Sequence, residues 1–155
     1  MGEPGGPRED GALRGHCLCG AVTLGLRVVA GAFVLCHCRQ CRKSAGAPFQ
    51  AVIPGRREAV TIDDPQGLVR EYRSSPHKLR AFCARCGSPL YSRRDDSATL
   101  RLRAGLFDAL GGHRPAAHIF ATSAAEWEII ADTLPRHADI EPGREPGAST
   151  GEEVP

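Results

Sequence analysis

Seven cysteines fall in three tight groups: Cys17 and Cys19 in C-L-C, Cys36, Cys38 and Cys41 in C-H-C-R-Q-C, and Cys83 and Cys86 in C-A-R-C. None stands alone, as a cysteine used only to fill a core would. A C-x-x-C turn brings two sulfurs to one point, about 2.3 Å from a zinc ion. A C-x-C in an extended segment does the same, because residues i and i+2 project from one face. This spacing predicts a metal protein, with zinc as the ion. Disulfides fit poorly, because an odd number cannot all pair within one chain and neighbours such as Cys17 and Cys19 would close very small rings.

Seven ligands divide as four plus three. Four thiolates close a tetrahedral structural site, whereas three leave a position open for water or substrate. Cys17 and Cys19 could join Cys83 and Cys86, leaving Cys36, Cys38 and Cys41 as the open triad. Cys38 and Cys41 could instead join Cys83 and Cys86. The first division splits no group and is preferred on local geometry. His16 and His37 are further candidate ligands, although His37 sits between two cysteines that share a face and should point away from their metal.

These groups need elements to position them. Val22, Leu24 and Leu26 alternate with small or polar residues, which predicts a strand near 20–29. Further strands are expected near 32–35, 49–53 (stopping at Pro54-Gly55), 58–62, 68–73, 78–82, 89–93, 98–103 and 116–121. Helix is expected around 38–45, directly after a metal turn, and around 105–110 and 123–127. Turn clusters such as Asp63-Asp64-Pro65-Gln66-Gly67 separate the strands. The spacing indicates a mainly β domain of two packed antiparallel sheets, with metal knuckles at strand ends. Residues 14–136 form the expected domain. Residues 1–13 and 137–155 are rich in Gly, Pro and acidic residues, which predicts disordered tails.

Charge and composition narrow the functions. The chain is +2 overall, but residues 14–136 hold eighteen basic and ten acidic residues, a formal +8. A basic block suits an anionic small molecule or nucleic acid. The absence of a clustered Arg/Lys tract with interleaved aromatics argues against nucleic acid. The N-terminus is neither basic nor apolar, and no run reaches the roughly 18 apolar residues of a membrane span. The expectation is a cytoplasmic protein with no membrane segment.

G-H-C-L-C-G-A-V (15–22), L-C-H-C-R-Q-C-R-K-S-A-G-A-P-F (35–49) and F-C-A-R-C-G-S-P-L-Y (82–91), in that order, resemble the glutathione-dependent formaldehyde-activating (GFA) family, which includes the domain of centromere protein V. Residues 117–135, ending A-D-T-L-P, are similar to the end of that domain. The resemblance implies an Mss4-like, mainly β fold and two zinc ions per chain. It implies a structural zinc on Cys17, Cys19, Cys83 and Cys86 and a catalytic zinc on Cys36, Cys38 and Cys41. It further implies a carbon–sulfur lyase activity that interconverts glutathione plus formaldehyde with S-(hydroxymethyl)glutathione, so the expected partners are a small thiol and a small aldehyde.

Charge counting shows how such a site would work. Zinc with three thiolates is −1, a weak polariser of carbonyls, yet it can hold a fourth thiol ionised. Arg39, Arg42 and Lys43, within or just after the ligand turn, could balance that charge or bind a carboxylate of glutathione. His37 is a candidate proton shuttle to the nascent alkoxide, and core packing is the expected use of His118 and Trp127. The competing class is a zinc-stabilised, non-catalytic binding module for nucleic acid or protein.

Overall fold

Residues 11–144 are described by a computed structural model. Ten strands and one α-helix follow in order: β1 (Leu13–His16), β2 (Thr23–Leu26), β3 (Val34–Cys36), α1 (Arg39–Ala45), β4 (Gln50–Arg56), β5 (Val60–Asp63), β6 (Val69–Ser75), β7 (Lys78–Cys83), β8 (Pro89–Arg94), β9 (Thr99–Arg103) and β10 (Ala117–Ile119). They form a three-stranded sheet, β1-β2-β5, and a seven-stranded sheet, β10-β3-β4-β9-β8-β7-β6. The fold is mainly β with two sheets, as expected. All pairs are antiparallel except β10 on β3, which runs parallel because β10 returns from the far end of the chain.

Period-2 alternation assigns the two faces of the large sheet. Ile53, Leu102, Tyr91 and Ala81 are register partners across β4, β9, β8 and β7. They join Val22, Leu24 and Leu26 of the small sheet's region in one buried core. Packing between the sheets is close enough that a Cβ at Gly55 would collide with Leu26 and lie 2.9 Å from Val60 Cγ2. The opposite face is polar and yet largely buried. It carries Cys36 beside Gln50 and Arg103 beside Val52, then Arg101 beside Pro54, with Ser92 between Arg101 and Arg80.

Several local expectations are corrected. Strand β4 does not stop at Pro54-Gly55 but runs through to Arg56. The Pro54 carbonyl accepts from Ala30 N–H at 2.8 Å. A strand residue's N and O point to the same side, so the missing N–H of Pro54 faces away from β9 and costs that ladder nothing. The segments expected to be helical at 105–110 and 123–127 hold only 3-10 turns, Ala104–Leu106 and Ala121–Ser123. Strand β1 has no counterpart in the sequence reading, because L-R-G-H offers one apolar residue. Trp127 is not core, being 66% exposed.

Residues 137–144, placed by the sequence reading in the C-terminal tail, run beside β10. His137 N–H donates to His118 O, Phe120 N–H to Asp139 O and Ala121 N–H to His137 O, at 2.9–3.1 Å. Glu141 is buried and pairs with Arg144. The rest of both expected tails, 1–10 and 145–155, lies outside the described residues. Among the described residues no helix is long and apolar enough to cross a membrane.

Candidate metal centres

Two hairpin ends meet at the first centre. The chain leaves β1, turns through Cys17-Leu18-Cys19-Gly20 and re-enters β2. The turn closes with Gly20 N–H on Cys17 O (2.9 Å) and Cys17 N–H on Val22 O (3.0 Å). Gly20 takes φ 75°, which favours glycine. The C-x-C is therefore a tight turn rather than the extended segment that alternation suggested. The second hairpin ends β7 at Cys83 and returns through Cys86 to β8, with Gly87 N–H donating to Cys83 O at 2.8 Å. Leu18 N–H donates to Ser88 Oγ at 2.9 Å and ties one turn to the other.

The sulfurs of Cys17, Cys19, Cys83 and Cys86 all lie within 4.8 Å of one another. Cys17 and Cys19 are 3.5 Å apart, and Cys19 and Cys83 are 3.9 Å apart. Sulfurs about 2.3 Å from a shared tetrahedral ion stand about 3.8 Å from each other, so this set fits zinc. Because the pairs come from different sheets, an ion here would staple the small sheet to the large one.

The second centre has three sulfurs, Cys36, Cys38 and Cys41, also within 4.8 Å of one another. Cys36 ends β3, Cys38 caps α1 and Cys41 lies in its first turn, where Cys41 N–H donates to Cys38 Sγ at 3.4 Å. Gly46, at φ 62°, ends the helix with its N–H on Arg42 O. The cysteines thus group as four and three, in the division that splits no motif, and all seven are free of disulfides. Within the triad, hydrogen bonds from Cys36 and Cys38 hold Cys41 well below the ordinary thiol range, against desolvation and with help from Lys78 and Arg80.

The polar sheet face supplies cations that the sequence reading missed. Both terminal nitrogens of Arg80 lie 3.9 Å from Cys41 Sγ, and Arg80 also reaches Gln40 Oε1 at 3.3 Å and Ser74 Oγ at 3.1 Å. Burial lowers Lys78 to about 8, and Arg101 and Arg103 to about 10 each, while the charges of Cys36 and Cys41 oppose that fall. Lys78, Arg101 and Arg103 remain cationic or largely so at neutral pH. The signal was the T-L-R-L-R of 99–103. An isolated alternating strand reads its arginines as solvent-facing, and only the layers above the sheet bury them.

Arg39, Arg42 and Lys43 lie elsewhere. They line a groove of about 320 Å³ with Pro48 and Trp127, and Arg42 Nε donates to His37 O at 3.3 Å. His37 is fully buried and both its ring nitrogens are engaged: Nδ1 lies 3.0 Å from Glu128 Oε2 and Nε2 lies 2.8 Å from His118 Nδ1. His118 Nε2 in turn lies 3.0 Å from Asp132. Burial pushes His37 below its ordinary value, against the pull of Glu128. His16 is exposed and bonds the carbonyl of Cys17.

A family model, GFA, described as glutathione-dependent formaldehyde-activating enzyme, matches residues 12–123. The chain belongs to the GFA family. The match spans both cysteine centres and most of the described fold. Among solved structures, a crystal structure of a Rhodobacter sphaeroides protein is similar at TM-score 0.54 and 17% identity, covering 64% of this chain and 92% of that one. At that identity the likeness concerns the fold alone. Comparison with curated proteins returns no match.

Proposed function

We propose that this GFA protein is a two-zinc, carbon–sulfur lyase-type enzyme that makes or breaks thiol–aldehyde adducts, of the kind that joins glutathione and formaldehyde. The reading rests on one observation: beside a four-sulfur cluster stands a three-sulfur cluster, one ligand short of closure and faced by buried cations. Cys17, Cys19, Cys83 and Cys86 would hold a structural ion, and Cys36, Cys38 and Cys41 a second one. That second zinc, when bound, supplies a fourth position able to keep a substrate thiol ionised near neutral pH.

The protein's own part is electrostatic and positional. Addition forms a bond between the substrate sulfur and the aldehyde carbon, and the carbonyl oxygen ends with the proton that the thiol gave up. The reverse breaks the same C–S bond. Arg80, against Cys41, holds negative charge on the triad, and Lys78 adds to the same field. Arg39, Arg42 and Lys43 would meet a substrate carboxylate on the outer side of α1. His37 would have to break one of its two hydrogen bonds to shuttle a proton, so its proposed role is to fix the Cys36–Cys38 turn against β10. Free cysteines suit a cytoplasmic setting, where thiols stay reduced.

One observation favours the binding-module reading: the exposed Trp127 shares its groove with three cations. Cobalt substitution separates the two. A three-sulfur cobalt centre should shift its sulfur-to-metal bands when glutathione is added, whereas a four-sulfur centre stays silent. Formaldehyde should then exchange with the adduct faster than without protein, and Cys38→Ser should remove that gain. A spectrum unmoved by any thiol would leave the binding module.

A further inference from the structure

The polar face of the large sheet holds more cation than its cysteines need. Lys78 and Arg80 on β7 and Arg101 and Arg103 on β9, with β8 between them, all lie on the face that carries Cys36. Only Arg80 is hydrogen-bonded to a triad sulfur. Arg101 Nη2 and Arg103 Nε and Nη2 are buried with no hydrogen-bond partner among the described residues, and so is Gln50 Oε1. Buried polar atoms are almost always paired, and buried charges even more so.

One of these orphans, Arg101, lines a cavity of about 840 Å³ on the same face, with Lys78 and Ser92 beside it and the 27–32 loop and Glu141–Arg144 around it; Arg103, two residues on in β9, lies outside that lining. The acids there are Glu58 and Glu141, and Glu141 is taken by Arg144. Of the other arginines lining it, Arg93 is paired with Glu71 and Arg94 with Asp96. Arg101 belongs to both places, since it lines the cavity and also lies in the field of Cys36 and Cys41.

We propose that this cavity is a binding site for a small molecule bearing a carboxylate or phosphate, with Arg101 and Lys78 gripping the anion and Arg103 reinforcing them from the side of the cysteines. The anion is one that a substrate brings. Formaldehyde has no such group, so the anion belongs either to the reacting thiol or to an aldehyde that carries its own carboxylate. Only that last assignment rests on the thiol–aldehyde reading; the site itself does not.

Titration calorimetry on the zinc-loaded full chain with inorganic phosphate should show saturable, one-to-one binding that weakens as chloride rises. Arg101→Gln and Lys78→Met should each weaken it at least tenfold. Arg101→Gln should also raise the melting temperature measured without anion, because a buried unpaired charge is removed. That rise is a readout that a mere structural cation would reverse. Glutathione competing with phosphate, with glyoxylate failing to compete, assigns the anion to the thiol; the opposite pattern assigns it to the aldehyde. Absence of saturable phosphate binding, or binding unchanged in both variants, overturns the site. Phosphate binding beside a thiol-silent cobalt spectrum would keep the site and reject the reaction.

Discussion

Glu71 shows how much one exposed-edge side chain can hold. From β6 it accepts from Arg93 Nε and Nη2 at 2.8 Å each and from Tyr91 Oη at 3.1 Å, both on β8, across the intervening β7. The Arg93 fork holds its carboxyl below the ordinary 4.5, desolvation opposes, and Tyr91 adds to the lowering. A lowered folded value means the contribution is complete above about pH 4.5 and vanishes as pH falls through the folded value. Glu71→Gln should cost about 1–2 kcal/mol at pH 7. The gap between variant and parent in denaturant melts should narrow as pH falls below about 4.5 and through the lowered folded value, and a gap independent of pH in acid would contradict this origin. The Glu128–His37–His118–Asp132 chain is the other residue-scale device. Three hydrogen bonds in a row, Glu128 to His37, His37 to His118 and His118 to Asp132, tie the Cys36–Cys38 turn to β10 and to the loop that follows it.

At the scale of elements, the knuckles and the C-terminal strap decide what is held. Strand β10 is three residues long and has β3 on one side. Its other side is covered by 135–139, through His118 N–H on Pro135 O and His137 N–H on His118 O. Ending the chain after residue 136 removes three backbone bonds, His137 N–H to His118 O, Phe120 N–H to Asp139 O and Ala121 N–H to His137 O, and the Glu141 wall of the cavity. At roughly 1 kcal/mol per bond, the melting temperature should fall by about 5–10 °C. Ending it after residue 144 should change the melt by no more than about 2 °C. Equal melts for the two truncations would show that the strap contributes nothing.

For the whole molecule, the four-sulfur centre is the joint between the sheets, whereas the three-sulfur centre sits within the large sheet and its helix. A structural zinc can contribute on the order of 10 kcal/mol to folding. Cys83→Ser should therefore abolish the cooperative melt. Cys38→Ser should lose one metal equivalent by elemental analysis and keep most of the melting temperature. A strong chelator should act in two stages, taking the three-sulfur ion first with the fold intact. If Cys38→Ser unfolds the chain and Cys83→Ser does not, the roles are reversed.

Much of this was legible in the residues themselves. Cysteine spacing is local: a C-x-x-C turn or a helix cap converges its sulfurs whatever the rest of the chain does, so both centres and helix α1 could be read from the motifs. The alternation of Val22, Leu24 and Leu26 likewise marked the face that meets the large sheet. What tertiary structure alone decided were the properties that depend on what covers a surface. Strand alternation says that Arg101 and Arg103 share a face, but only the cavity walls and the cysteine helix turn that face into a buried one. His37 could be expected to point away from its neighbours' metal, but Glu128 and Asp132 reach it and His118 only because the loop after β10 folds back. Trp127 fails to pack for the same reason, since that loop leaves its indole outside while burying the neighbouring Glu128 side chain. Local covalent geometry chose the ligands, and long-range packing chose their electrical surroundings.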